Sequence, residues 1–184
     1  MVIPIIIHGN KTLREIALEA NIEDKATHDA FILDLIDTLK TTETGVGIAA
    51  PQVGNSVRIF ISWADRNRIS SSKPIIFINP EIVEAKGSKK MDDEGCLSVP
   101  KVYARVERFQ KVRVKYLDEN WEPQEKLFKG FEARVIQHEN DHLNGLEFFD
   151  HLSDVELKKI QYKLDELSKG NIPELEYEYI LERL

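Results

Sequence analysis

His138-Glu139-Asn140-Asp141-His142 constrains the fold more than any other stretch of this chain. On a helix, positions i and i+4 share a face, so both imidazoles can point at one ion. Glu139 then sits beside His138 on the rim of that face, close enough to act on water held by the ion. A chance arrangement of residues is the alternative, and the context weighs against it. Residues 130–143 carry a helical pattern, and Asn144-Gly145 supplies a stop signal. Phe131 and Val135 share the histidine face. A polar cluster on an otherwise buried face needs partners, which a metal supplies.

Two histidines leave the third ligand open. In HExxH endopeptidases it is a distant Glu or a third His. His151 lies too far along for the latter, while Glu147 and Glu156 remain candidates for the former. Cys96 is the other candidate. It stands in Glu94-Gly95-Cys96-Leu97-Ser98-Val99-Pro100, after a polar, glycine-containing turn and before a strand-like segment. A lone cysteine is an inert core residue, a nucleophile paired with histidine, or a ligand. One thiolate and two imidazoles leave a fourth position free, as in catalytic sites, and the set suits Fe(II), Zn, Ni or Co.

The remaining chain reads as α+β, with antiparallel strands around a central HExxH helix, helices before it and a helix after it. Thr12 with Glu15 is expected to cap a short helix. Ile32, Leu35, Ile36 and Leu39 mark a longer amphipathic helix over about residues 24–40. The glycine-rich Gly45–Gln52 segment is expected to be non-helical. Val57–Ile61, Ile75–Ile78 and Lys111–Leu117 read as strands. Asp118-Glu119-Asn120 is a turn into a return strand over Glu125–Phe128. Ser153 with Glu156 caps a final helix that runs to about Lys169, before Gly170. The pattern implies one catalytic domain over residues 1–184, with a tail from about residue 171 whose alternation over Leu175–Tyr179 suggests an edge strand.

Composition narrows the function. With 184 residues and 42% apolar content the chain can build a real core, and its net charge of -7 disfavours broad nucleic-acid binding. No apolar run approaches the roughly 20 residues that span a bilayer. A single cysteine allows no internal disulfide, which fits a reducing, cytosolic setting.

Three motifs occur in order: Gly45–Gln52, a glycine-rich loop ending in Gln; Glu94-Gly95-Cys96-Leu97-Ser98; and Gln137-His138-Glu139-Asn140-Asp141-His142-Leu143. Together they resemble peptide deformylase over most of the chain. The resemblance implies hydrolytic removal of the formyl group from N-formylmethionine at the start of new polypeptides, in a bacterial cytoplasm, by a monomer. It implies one divalent metal, natively Fe(II), held by Cys96, His138 and His142. Glu139 matches the general acid/base for the attacking water, and Gln52 and the Leu97 backbone N–H match the oxyanion donors. The Val46–Gly47 backbone matches the edge along which the substrate peptide lies. Gly95, Phe131, Arg134 and Val135 are expected to line the substrate pocket.

Arg134, Tyr103 and Asp92 depart from common family residues at that pocket. The stem of Arg134 is expected to line it with the charge directed outward. Arg108 is expected to pair with Glu94 or Asp141 and orient the site, whereas Arg105 reads as a surface residue, and His8, His28 and His151 as ordinary surface or turn residues. Lys158, Lys159, Lys163 and Lys169 form a helix face that is solvated on the plain reading, or makes transient ribosome contact. The rival functions are an HExxH zinc endopeptidase with a structural Cys96, and a non-catalytic peptide- or ribosome-binding paralogue.

Overall fold

A computed structural model describes residues 1–42, 44–63, 73–173 and 181–182. Its elements are β1 (Ile5–Ile6), α1 (Lys25–Thr41), β2 (Gly47–Ala49), β3 (Ile59–Ser62), β4 (Ile75–Cys96), β5 (Val99–Leu117), β6 (Pro123–Lys129), α2 (Gly130–Leu143), α3 (Asp154–Ser168) and β7 (Leu181–Glu182). Strands β2 to β6 form one antiparallel sheet in chain order, and β1 pairs in parallel with β7. The architecture is the expected α+β arrangement. Among the described residues no helix is long and apolar enough to cross a membrane.

Helix α2 is buried on two sides. Ala133, Ile136 and Leu143 pack with Phe60, Phe77, Val112 and Phe128 of the sheet. This stripe at helical spacing fixes the helix rotation and leaves residues 131, 135, 138 and 142 on the other side. Gln137 adds a polar tie. Its side chain accepts from the Phe109 N–H at 3.2 Å and donates to the Phe109 carbonyl at 2.9 Å. It thereby occupies a ladder position on β5 just before pairing with β6 begins at Lys111.

Several local expectations change. The first helix is a single 3-10 turn, Lys11–Arg14, capped by the Asn10 side chain rather than by Thr12. The Asn10 side chain accepts from the Thr12 N–H at 3.0 Å, two residues on, and so starts the turn before Thr12 can. Gly47–Ala49 is a strand, followed by a 3-10 turn at Ala50–Val53. β4 continues far past Ile78, to Cys96, and pairs with β5 as a long ribbon with register shifts. Gly95 lies within this strand at the last shift, so the turn follows Cys96, at Leu97–Ser98, instead of preceding it. The tail forms a short strand at Leu181–Glu182, while Leu175–Tyr179 lies outside the described residues.

Candidate active site

The end of β4 and the middle of α2 converge on a cavity of about 440 Å³. Cys96 stands at the tip of the β4–β5 hairpin, where it pairs with Val99 across the two-residue turn. Its Sγ lies 3.2 Å from His142 Nε2. One donor atom from each of Cys96, His138 and His142 lies within 4.8 Å of the others. A tetrahedral ion with these ligand types requires donor separations of about 3.5 Å. The three side chains therefore fit a metal. Among the described residues no other group of His, Cys, Asp or Glu side chains meets that geometry.

The protonation pattern suits ligation. A carboxylate only accepts hydrogen bonds, so His138 donates its Nδ1–H to Glu94 Oε2 at 3.1 Å and turns Nε2 toward the cluster. Burial pulls His138 down, but its bonds to Cys96 and Glu94 outweigh that and hold it well above the usual imidazole range, so a bound cation would take the place of the Nε2 proton. Burial, reinforced by the charge of His138, pushes His142 down to about 3, which keeps its imidazole neutral. His142 Nδ1 is buried without a hydrogen-bond partner among the described residues. Burial pushes the Cys96 thiol up, against the pull of His138. A cation among the three donors reverses that balance, because it stabilises the thiolate directly.

Glu139 follows His138 on the helix and is 3% exposed. Burial lifts its carboxyl to about 7; His138 opposes the shift, and Glu94 and Asp141 assist it. Its Oε2 has no hydrogen-bond partner among the described residues. Gln52 reaches the same site from the 3-10 turn. Its Oε1 accepts from the Ala49 N–H at 2.8 Å, which turns Nε2 toward Cys96 Sγ and Ser98 Oγ, each at 3.3 Å.

Val46, Gly47, Gly95 and Leu97 line the cavity, as do Phe131, Arg134 and Val135. Arg134 overturns its expected orientation. Its guanidinium points inward, and the residue as a whole is only 4% exposed. It donates to Glu94 Oε1 at 2.5 Å, to the Lys90 carbonyl at 2.6 Å and to the Val106 carbonyl at 2.9 Å. Three fixed acceptors beneath the cavity wall outweigh the solvation that draws an arginine outward.

Arg108 pairs with both expected partners: in a fork with Glu94, each bond 3.0 Å, and with Asp141 Oδ2 at 2.6 Å. His151 is exposed, as expected, and its ring reaches this network through Asp141 Oδ2 at 2.7 Å. Burial pushes Glu94 up, yet its bonds to His138 and Arg108 outweigh that effect and hold it well below the usual carboxylate range.

Of the open zincin-type candidates, Glu147 is buried, but its Oε2 is taken by His8 Nδ1 and Arg14, each at 2.9 Å. His8 lies in a turn, as expected, and from there its ring holds the buried Glu147 carboxylate. Tyr103 is exposed, and its ring lies where a Cβ on Gly95 would meet it at 2.6 Å. Asp93, not Asp92, lines the cavity. Arg105 is exposed, as expected, and so are Lys158, Lys159 and Lys163 of the last helix and Lys169 at its C-terminal end.

The sequence profile of the polypeptide deformylase family matches residues 2–158. The chain belongs to the polypeptide deformylase family. The peptide deformylase of Christiangramia forsetii is 38% identical over 94% of this chain and 92% of its own length. That of Pseudothermotoga lettingae is 40% identical over 91% and 92%. The crystal structure of the Thermus thermophilus deformylase, 33% identical, superposes with a TM-score of 0.83 over 92% of this chain and 99% of that one. The deformylase resemblance carried by the three short motifs thus extends over nearly the whole fold.

Proposed function

We propose that this chain hydrolyses the formyl group of N-formylmethionyl peptides in the bacterial cytoplasm, with Fe(II) as its native metal on Cys96, His138 and His142. The observation that carries the reading is the convergence of this ligand set with Glu139 and Gln52 on one cavity. Zn, Ni and Co suit the same donors. The metal, when bound, supplies the charge that polarises a carbonyl and lowers the pKa of water.

The chain's own groups account for the remaining chemistry. Glu139, near 7, is poised to take a proton from the attacking water and return it to the amine nitrogen as the C–N bond breaks. Formate and a free N-terminal amine result. Gln52 Nε2 and the Leu97 N–H are assigned to the oxyanion that forms on the way. The Ala49 N–H turns away from β3 to Gln52, whereas the Val46 carbonyl accepts from Trp63 on the β3 side. By strand alternation the Gly47 N–H and carbonyl also face away from β3, and an extended peptide can pair with them. Phe131, Val135 and the stem of Arg134 are assigned to the methionine side chain.

The test is hydrolysis of formyl-Met peptides against acetyl-Met peptides by anaerobically purified protein, with metal analysis. Formyl substrates should be cleaved and acetyl substrates spared. Comparable rates on both, or cleavage of internal peptide bonds, would favour the endopeptidase.

A further inference from the structure

We infer that Arg134 is a positioning residue for His138 and acts through Glu94; this rests on the proposed metal site. Arg134 and His138 stand four residues apart on α2 and so are neighbours on one face. Glu94, from the far end of β4, bridges them: its Oε1 accepts from Arg134 Nη1 and its Oε2 from His138 Nδ1. The carboxylate is thus fixed relative to the helix that carries the ligand.

Arg108 grips Glu94 in a fork from β5, the strand paired with β4, and reaches α2 only at Asp141, beyond His138. Arg134 ties the carboxylate to the helix and, through the Lys90 and Val106 carbonyls, ties the helix to both strands of the ribbon. Only a planar guanidinium reaches three acceptors spread in this way; an ammonium is a point donor. The four buried or nearly buried charges, Glu94, Asp141, Arg108 and Arg134, balance, so deleting Arg134 leaves one carboxylate in excess beside His138. A misplaced Glu94 no longer holds His138 Nδ1–H, and the ring loses the orientation that aims Nε2 at the ligand cluster. Loss of such supporting bonds typically weakens metal affinity about 10–100-fold.

The test is zinc affinity, by competition with a chromophoric chelator, for wild type, Arg134→Met, Arg134→Lys, Glu94→Gln and the Glu94→Gln/Arg134→Met double variant. Arg134→Met and Glu94→Gln should each weaken binding about 10–100-fold. The double variant should bind no more weakly than the weaker single one, because the first change already removes what the second acts through. It also leaves no lone buried charge, which keeps it folded if Arg134→Met is not. Arg134→Lys should recover part of the affinity. A packing role would rank these variants the other way, since Met preserves the apolar stem. Wild-type affinity in Arg134→Met, or losses that multiply in the double variant, would overturn the inference. Failure of the wild type itself to bind zinc would instead overturn the metal site.

Discussion

Glu139 lies so close to Gly47 that a Cβ on the glycine would stand 2.5 Å from Glu139 Oε1 and 2.9 Å from its Cδ. The glycine is required by this approach, not by backbone conformation, because β2 is ordinary strand there. Gly47→Ala should therefore push Glu139 aside without touching a metal ligand. A misplacement of about 1 Å costs on the order of 10²-fold in rate. The expected outcome is a kcat fall of about that order on a formyl-Met peptide, with metal content unchanged. Near-normal kcat would show that the carboxylate tolerates the shift and that its position against β2 is unimportant.

Glu139→Gln separates binding from chemistry. The amide keeps size and hydrogen bonding but cannot carry the proton from water to nitrogen. General acid–base help is worth about 10²–10⁴-fold, so kcat should fall by that order. Metal content should stay near one ion per chain, because Cys96, His138 and His142 are intact. Metal analysis and kcat on one preparation decide the point. Lost metal would make Glu139 structural, and normal kcat would place the transfer elsewhere.

The same substitution should change stability with pH in the chelated protein. The folded value of Glu139, about 7, lies above its ordinary 4.5 because burial disfavours the charge. Between those values the folded chain holds a proton that the unfolded chain has lost, so stability falls as pH rises through this window. Above about pH 7 the full penalty stands, about 3 kcal/mol. Metal-free Glu139→Gln should thus be more stable than metal-free wild type at pH 8, with the difference closing below about pH 4.5. Urea titrations at pH 4, 6 and 8 measure it. A pH-independent difference would mean that Glu139 is not held protonated by burial.

The three helices were legible in the sequence because each has an apolar stripe or a capping signal within one residue of its end, as with Ser153 before α3. The candidate ligand cluster was legible in part: His138 and His142 share one short motif, whereas Cys96, far from them in sequence, stood beside Glu147 and Glu156 as an open choice until the resemblance singled it out. The β4–β5 ribbon was not: from Glu81 to Asp93 the strand carries mostly exposed or half-buried polar residues, so no alternation marks it. Its pairing with β5, rather than burial, keeps it extended. The inward turn of Arg134 was hidden for another reason. Its acceptors, at Glu94, Lys90 and Val106, lie 28 to 44 positions away in sequence. No local rule reports them, and the tendency of arginine to send its charge outward points the wrong way.

Cys96→Ala tests the ligand set against the endopeptidase reading. Among the described residues no Asp or Glu side chain clusters with both His138 and His142 at ligand spacing, and Glu147 Oε2 is held by His8 and Arg14. Tight metal binding should be lost after dialysis against a mild chelator, and formyl-Met hydrolysis with it. Retention of one tightly bound ion per chain would mean that the thiolate is dispensable and would revive the two-histidine protease arrangement.

Gln52 is the last test, because its amide has two different ends. Oε1 is fixed by the Ala49 N–H at 2.8 Å, and this bond sets which end faces the cluster. Nε2, 3.3 Å from Cys96 Sγ, is thereby presented as a donor without being able to bind a cation. Gln52→Ala should leave metal content intact and lower kcat about 10²–10³-fold, the usual cost of one oxyanion donor. Gln52→Glu sharpens the result. A carboxylate keeps the bond from Ala49 but turns an acceptor toward the thiolate and the developing oxyanion, where a donor is needed. It should bind metal at least as well as wild type and yet be slower than Gln52→Ala. If Gln52→Glu turned over faster than Gln52→Ala, the side chain would serve only to hold the Ala49 turn, and the oxyanion would have to be stabilised without it.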